Sequence, residues 1–246
     1  MYLNTIALVL RVSDYNDRDA LLTLLTRDHG RITAKARGLR RKNSPLTASC
    51  QLLALSEFTL FEYRGMYTVN EARSVELFTP LRRDLEKLSL GTYFAQVSEV
   101  ISQEDAPNRE LQSLVLNCLY VLSETNLPAT QIKAVFELRV ACIAGYTPDL
   151  YGCRCHGKCQ PGYFDLSGGV LLCDGCKDQN IGIRHPLAAG TLDAMRYIIS
   201  CDSKKLFGFT LRQDNLLQLS SIAEAYLMTQ LERGFSTLDF YKSLLI

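Results

Sequence analysis

Short apolar runs broken by polar turns fill the first eighty residues, and after that apolar residues recur at three- and four-residue steps. Five early runs are short and rich in Val, Ile, Thr, Leu and aromatics: 5–12 (TIALVLRV), 20–26 (ALLTLLT), 31–37 (RITAKAR), 53–64 (LALSEFTLFEYR) and 66–77 (MYTVNEARSVEL). That composition and period predict strands. Turn chemistry separates them, in SDYNDRD, RDHG and YRGM. RDHG predicts a hairpin in which Gly30 supplies a positive-φ position, and a second hairpin turns at Arg64-Gly65. About five strands in such a length predict a small closed or nearly closed β-barrel.

The period changes after Pro80. Leu81, Leu85, Leu88, Phe94, Val97 and Ile101 line one face of a helix, and 108–124 and 128–145 repeat the pattern, the latter stopping at Gly145. Residues 149–179 have almost no helical periodicity; helical runs resume at 186–200, 213–232 and 236–244. The fold class read from this is α+β: an N-terminal β-barrel at 1–79, then a helical domain at 80–246 carrying a small cysteine-rich, zinc-ribbon-like insert at 149–179. Internal repeats, low-complexity tracts and long linkers are not seen.

Composition adds compartment and charge. A hydrophobic content of 47% with 22% charged residues is ordinary for a soluble globular protein. No apolar run approaches the roughly 18 residues that span a bilayer. The segment MYLNTIALVLRVSDYNDRD has no basic leader and no small-residue cleavage site, so the expectation is a cytoplasmic protein without a membrane partner. Nine cysteines, an odd number, disfavour a complete disulfide framework. Cys50, Cys118, Cys142 and Cys201 are scattered among mostly apolar neighbours, as buried thiols are.

The other five cysteines, Cys153, Cys155, Cys159, Cys173 and Cys176, crowd into YGCRCHGKCQPGYFDLSGGVLLCDGC. In a reducing compartment such a cluster means metal before disulfide. Cys173-Asp-Gly-Cys176 is a two-residue knuckle behind a glycine turn and a strand, a spacing that brings two thiolates onto one tetrahedral Zn²⁺. The upstream half is irregular: Cys153, Cys155, His156 and Cys159 compete for two places, and several pairings satisfy the spacing. A closed structural site that staples a loop fits a thiolate-rich set better than a catalytic zinc, which keeps a position open. A redox role for the CxxC is the remaining reading, weakened because the motif does not open a helix in a βαβ setting.

Motifs for catalysis are missing. HExxH, GxSxG, GxxxxGK[ST] and GxGxxG do not occur, and of three histidines His29 sits in a turn and His185 precedes Pro186. Charge gives the more specific signal. Lys+Arg number 27 and Asp+Glu 26, yet GRITAKARGLRRKNS concentrates Arg31, Lys35, Arg37, Arg40, Arg41 and Lys42 with no acidic residue. Strand parity puts Arg31, Lys35 and Arg37 on one face, with Ile32, Ala34 and Ala36 on the other, toward a barrel interior. Charge runs in loops are commonly just solvated. On a small barrel with Phe58, Phe61, Tyr63 and Tyr67 in nearby strands, the same run is a candidate for phosphate contact with base stacking.

With these segments in place the chain resembles, over essentially its full length, the RecO family of bacterial DNA repair and recombination mediators. The resemblance rests on ALVLRVSDYNDRDALLTLLTRDHGRITAKARGLRRKNS, on ELRVACIAGYTPDL leading into the cysteines, on FDLSGGVLLCDGC and on TLDFYKSL. It implies that the N-terminal barrel at 1–79 is an OB-fold and that the helical domain carries an inserted zinc-binding element, with binding and annealing of single- and double-stranded DNA and no enzymatic chemistry. It implies partnership with RecR and with single-stranded-DNA-binding protein, so that RecA loads in RecF-pathway repair at the nucleoid. Carried over by residue, Arg31, Lys35, Arg37, Arg40, Arg41 and Lys42 fall in the family's basic segment. Cys173 and Cys176 match its second zinc knuckle, and Cys153 the start of the first. Where a second CxxC would end, this sequence has His156-Gly157, so the fourth ligand stays open among Cys155, His156 and Cys159. A zinc-stabilised adaptor that binds proteins and not DNA is the competing reading.

Overall fold

The computed structural model describes residues 1–154, 162–176 and 182–245. Strands β1 (Tyr2–Asp14), β2 (Ala20–Thr26), β3 (Arg31–Ala36), β4 (Leu55–Tyr63) and β5 (Met66–Glu76) close into a barrel in the order β1-β2-β3-β5-β4. All neighbouring pairs are antiparallel except β3–β5, where Ala34 meets Tyr67 and Lys35 meets Thr68. This is the OB-like barrel the strand count predicts. The two hairpins turn where expected: Gly30 has φ +65°, and Arg64 and Gly65 have φ +52° and +76°. Two successive positive φ values match the twist of a tight hairpin.

β3 alternates as its sequence requires, with Ile32, Ala34 and Ala36 in the core and Arg31, Thr33 and Lys35 facing out. β1 and β2 do not. Ala7 to Leu10 are all buried, as are Leu22 to Thr26. A strand buried on both faces must be covered from outside, and helices α1 (Leu85–Ile101) and α2 (Arg109–Glu124) supply that cover. Gln112 on α2 donates to the Leu25 carbonyl at 2.9 Å, and Arg11 on β1 pairs with Glu99 on α1 at 2.9 Å. The outer face of β1 at Ala7–Leu10 and of β2 at Leu22–Thr26 is thereby spent on helices, leaving the first residues of β1 and the outer side of β4 and β5 open.

A 3-10 turn, Thr79–Arg83, stands where the periodicity begins a helix at Leu81. Asp84 is extended and its carboxylate accepts the Lys87 amide at 3.1 Å, so α1 begins only after it. Asn108 caps α2 in the same way through the Leu111 amide. Four helices follow: α3 (Ala129–Ile143), α4 (Ala189–Ser200), α5 (Gln213–Leu231) and α6 (Ser236–Ser243). The change from strand to helix falls near 79/80, but compactness divides the chain elsewhere. Met1–Thr125 with Phe235–Ile246 form one unit, and Asn126–Gly234 form the other. In the first unit α6 returns to α1, where Thr237 donates its hydroxyl to Gln96 at 2.6 Å and Phe235 meets Tyr93 edge-on.

The second unit holds a small sheet ordered β6-β8-β7-β9, from β6 (Asp149–Cys153), β7 (Tyr163–Asp165), β8 (Val170–Leu172) and β9 (Arg184–Pro186). The helical run expected from Pro186 starts later, at Ala189. Arg184–Pro186 pair with β7 as a strand, and the Leu187 amide bonds the Gly162 carbonyl, so sheet pairing wins those residues. Between α3 and α5, buried Lys133 is gripped by Glu137 at 2.9 Å and Glu224 at 2.7 Å. A buried ammonium requires such partners. No helix among the described residues is long and apolar enough to cross a membrane.

Candidate nucleic-acid interface and metal centre

The basic segment leaves β3 at Ala36 and runs through turns to β4, and its path is anchored rather than free. Leu39 and Leu46 pack against the barrel core, Cys50 and Ala54 are buried in it, and β1 exchanges backbone bonds with Leu53 and Ala54. Burial pushes the Cys50 thiol up to about 12. Gly38 takes φ +67°, and its amide donates to Asp19 at 2.8 Å. Arg40 donates its amide to the Arg18 carbonyl, Arg41 to Gly38, and Ser44 to Arg41. The β1–β2 turn thus clamps the start of the basic loop.

The structure divides the six cations expected to meet DNA. Arg31 faces outward as parity demands, yet its guanidinium donates to the Glu99 carbonyl at 2.9 Å and pairs with Glu104 at 3.6 Å, tying β3 to the end of α1. Lys35 pairs with Asp19 at 3.0 Å and lies 4.2 Å from the centre of the Tyr15 ring. Arg40 pairs with Asp14, a surface contact that a phosphate can displace. Arg37, Arg41 and Lys42 are exposed and make no ion pair among the described residues. These three line one open cleft of about 590 Å³.

Two aromatic residues line the same cleft. Tyr2 and Phe61 are register partners across β1 and β4, their ring centres 5.2 Å apart and their planes tilted by 53°. Tyr2 is 61% exposed and Phe61 38%. Alternation on β4 sends Phe61 and Tyr63 outward and Phe58 inward, where it is fully buried and unable to meet a base. Tyr67 is half-buried against the core. Tyr2 was outside the strand predicted from residue 5; the period-2 pattern of Tyr2, Asn4 and Ile6 extends that strand to the start of the chain and was the available signal. The cleft therefore sets free positive charge beside exposed aromatic rings.

The second site lies in the small sheet. Cys153 at the end of β6 and Cys173 and Cys176 after β8 are buried, with sulfurs within 4.8 Å of one another. Cys176 Sγ is 3.5 Å from Cys153 Sγ and 3.7 Å from Cys173 Sγ. Bonds of about 2.3 Å to a tetrahedral metal put sulfurs about 3.8 Å apart, so these thiols are spaced for one ion and not for a disulfide. The Cys173 amide points at Cys153 Sγ from 3.4 Å, a dipole oriented to stabilise thiolate charge. The cluster can hold a metal ion. Cys155 and Cys159, like His156, lie outside the described residues. Of the scattered cysteines, Cys50 and Cys118 are buried, while Cys142 and Cys201 are partly exposed.

Comparison with known proteins is consistent along the whole chain. Residues 1–78 match the family model described as Recombination protein O N terminal, and residues 82–239 the one described as Recombination protein O C terminal. The chain is 33% identical over 245 residues to a DNA repair protein RecO of Acetivibrio thermocellus, covering 99% of this chain and 97% of the relative. A DNA repair protein RecO of Pelotomaculum thermopropionicum is 31% identical, covering 95% and 91%. One from Alkaliphilus metalliredigens is 28% identical, covering 99% and 100%.

Proposed function

Because the chain belongs to the RecO family of DNA repair proteins, we propose that it is a non-catalytic mediator that binds and anneals DNA strands and helps load RecA in RecF-pathway repair. The observation that carries this reading is the cleft on the barrel. Arg37, Arg41 and Lys42 project into it without protein counter-charges among the described residues, beside exposed Tyr2 and Phe61. Cations free of carboxylate partners release counter-ions when they neutralise phosphates, and this drives sequence-independent binding. Arg40 joins them by exchanging Asp14 for phosphate. Arg31 and Lys35 are engaged elsewhere and shape the surface more than they touch DNA.

Annealing follows from the same physics. Screening the charge of two strands lowers their repulsion, and an open cleft leaves most bases accessible for pairing. RecR and single-stranded-DNA-binding protein are the proposed protein partners, in the cytoplasm at the nucleoid. Zn²⁺ is the proposed metal at Cys153, Cys173 and Cys176, with the fourth ligand from among Cys155, His156 and Cys159; a thiolate-rich set of this kind is that of closed structural sites.

Fluorescence anisotropy of a labelled deoxythymidine oligomer across a salt series tests the proposal. Three phosphate contacts predict log K falling with log salt at a slope of about −2 or steeper. Absence of retained DNA even at low salt would leave the protein-binding adaptor as the function.

A further inference from the structure

The cleft is lined by two chemically different groups of residues, and duplex and single-stranded DNA can use them unequally. Phosphates are available in both forms. A base face is available only where the base is unpaired and unstacked. The Tyr2–Phe61 pair is exposed, lines the same cleft of about 590 Å³ as the cations, and is followed on the outer face of β4 and β5 by Tyr63 and its register partner Met66, 60% and 57% exposed. A cleft of that volume falls within the roughly 300–1,000 Å³ of sites that take small ligands.

We infer that Tyr2 and Phe61 form a seat for an unpaired nucleobase, and that this seat, not the basic loop, sets the preference for single-stranded over duplex DNA. The inference rests on the proposed DNA binding and deepens it. Phosphates on Arg37, Arg41 and Lys42 hold either form. When two strands anneal, the seated base must leave the aromatic pair to join its complement, while the phosphate contacts persist. The stacking contribution is then lost from the product alone. Affinity for the annealed duplex falls below that for its strands, so the aromatic pair makes release of the duplex part of the binding cycle.

The test measures affinity for an unstructured single strand and for a blunt duplex of equal length at one salt concentration. It uses the full-length wild type, Phe61→Leu, and the double variant Tyr2→Ala/Phe61→Ala. Leucine keeps the apolar contact on Tyr2 and removes the π face, so it guards against loss of local packing. Stacking is worth enough per base that the double variant should lose roughly 5- to 150-fold in single-strand affinity. Its duplex affinity and salt slope should be unchanged, and Phe61→Leu should show the same selective loss to a smaller degree. Equal losses for both DNA forms would overturn the inference, the rings then merely shaping the loop. Unchanged single-strand affinity with intact salt-dependent binding would overturn it too, while sparing the basic cleft. If the wild type bound neither form, the proposed function itself would fall.

Discussion

Lys35 Nζ sits 3.0 Å from one carboxylate oxygen of Asp19 while the other oxygen accepts the Gly38 amide at 2.8 Å. One aspartate in the β1–β2 turn thus holds a β3 side chain and the first turn of the basic loop together. Lys35, placed on the outward face by parity, is held by this contact away from the proposed phosphate surface, and Asp19 becomes the residue that positions the loop.

The Asp19 carboxyl is pulled down to about 2, first by the Gly38 amide, then by Lys35 and Asn16. A folded pKa below the unfolded value of about 3.9 means its contribution to stability is complete above that value. It is lost as pH falls from about 4 through about 2. Acid unfolding followed by circular dichroism should therefore be less steep over that window in Asp19→Asn than in the wild type. Asparagine can still accept the Gly38 amide, so Asp19→Ala should weaken DNA binding several-fold more than Asp19→Asn does.

Arg37→Ala, Arg41→Ala and Lys42→Ala should each reduce the salt slope of single-strand binding by roughly 0.7. Arg31→Ala should leave the slope unchanged and lower the melting temperature instead, because its guanidinium ties β3 to the Glu99 carbonyl. Anisotropy titrations at several salt concentrations, with thermal melts of the same samples, separate the two classes.

Phe58 and Phe61 lie three residues apart on β4 and should behave oppositely. Phe58 fills the barrel core, so Phe58→Ala should cost about 3–5 kcal/mol. Phe61→Leu, on the outer face, should stay within about 1 kcal/mol of the wild type. Urea denaturation measures both.

With the proposed zinc at Cys153, Cys173 and Cys176, a chelator or Cys173→Ser should lower zinc content and destabilise the small sheet, while the proposed DNA binding by the barrel should stay in place. Metal analysis and anisotropy on the same preparations check this. Thiol titration gives an independent readout. Cys153, Cys173 and Cys176 should become reactive only after chelation, whereas Cys50 and Cys118 should stay silent in the native protein. Burial raises both of those thiols, Cys50 to about 12 and Cys118 further, and only the thiolate reacts.

Much of the fold was legible because its signals are local. Short β-former-rich runs between turn residues located five strands, Gly30 and Arg64-Gly65 marked two hairpins, and parity on β3 separated Ile32, Ala34 and Ala36 from Arg31 and Lys35. The knuckle at Cys173 and Cys176 was equally plain, as spacing alone brings those sulfurs near each other. Helix starts were less so: Asp84 as a cap and the sheet pairing of Arg184–Pro186 moved α1 and α4 to later residues than periodicity suggests.

The sequence by itself determined which residues of β3 turn inward, where the chain reverses at its two hairpins, and that six cations crowd one strand and loop, because burial period and turn conformation are properties of neighbours. Only the tertiary structure decided which cations are free and what lines the cleft with them. Arg31 met its partners on α1, Lys35 met Asp19 across the β1–β2 turn, and Arg37, Arg41 and Lys42 were left open. Tyr2 reached Phe61 through the β1–β4 register that closes the barrel. Such pairings join residues far apart in the chain, and they depend on closure and register, which no local pattern encodes.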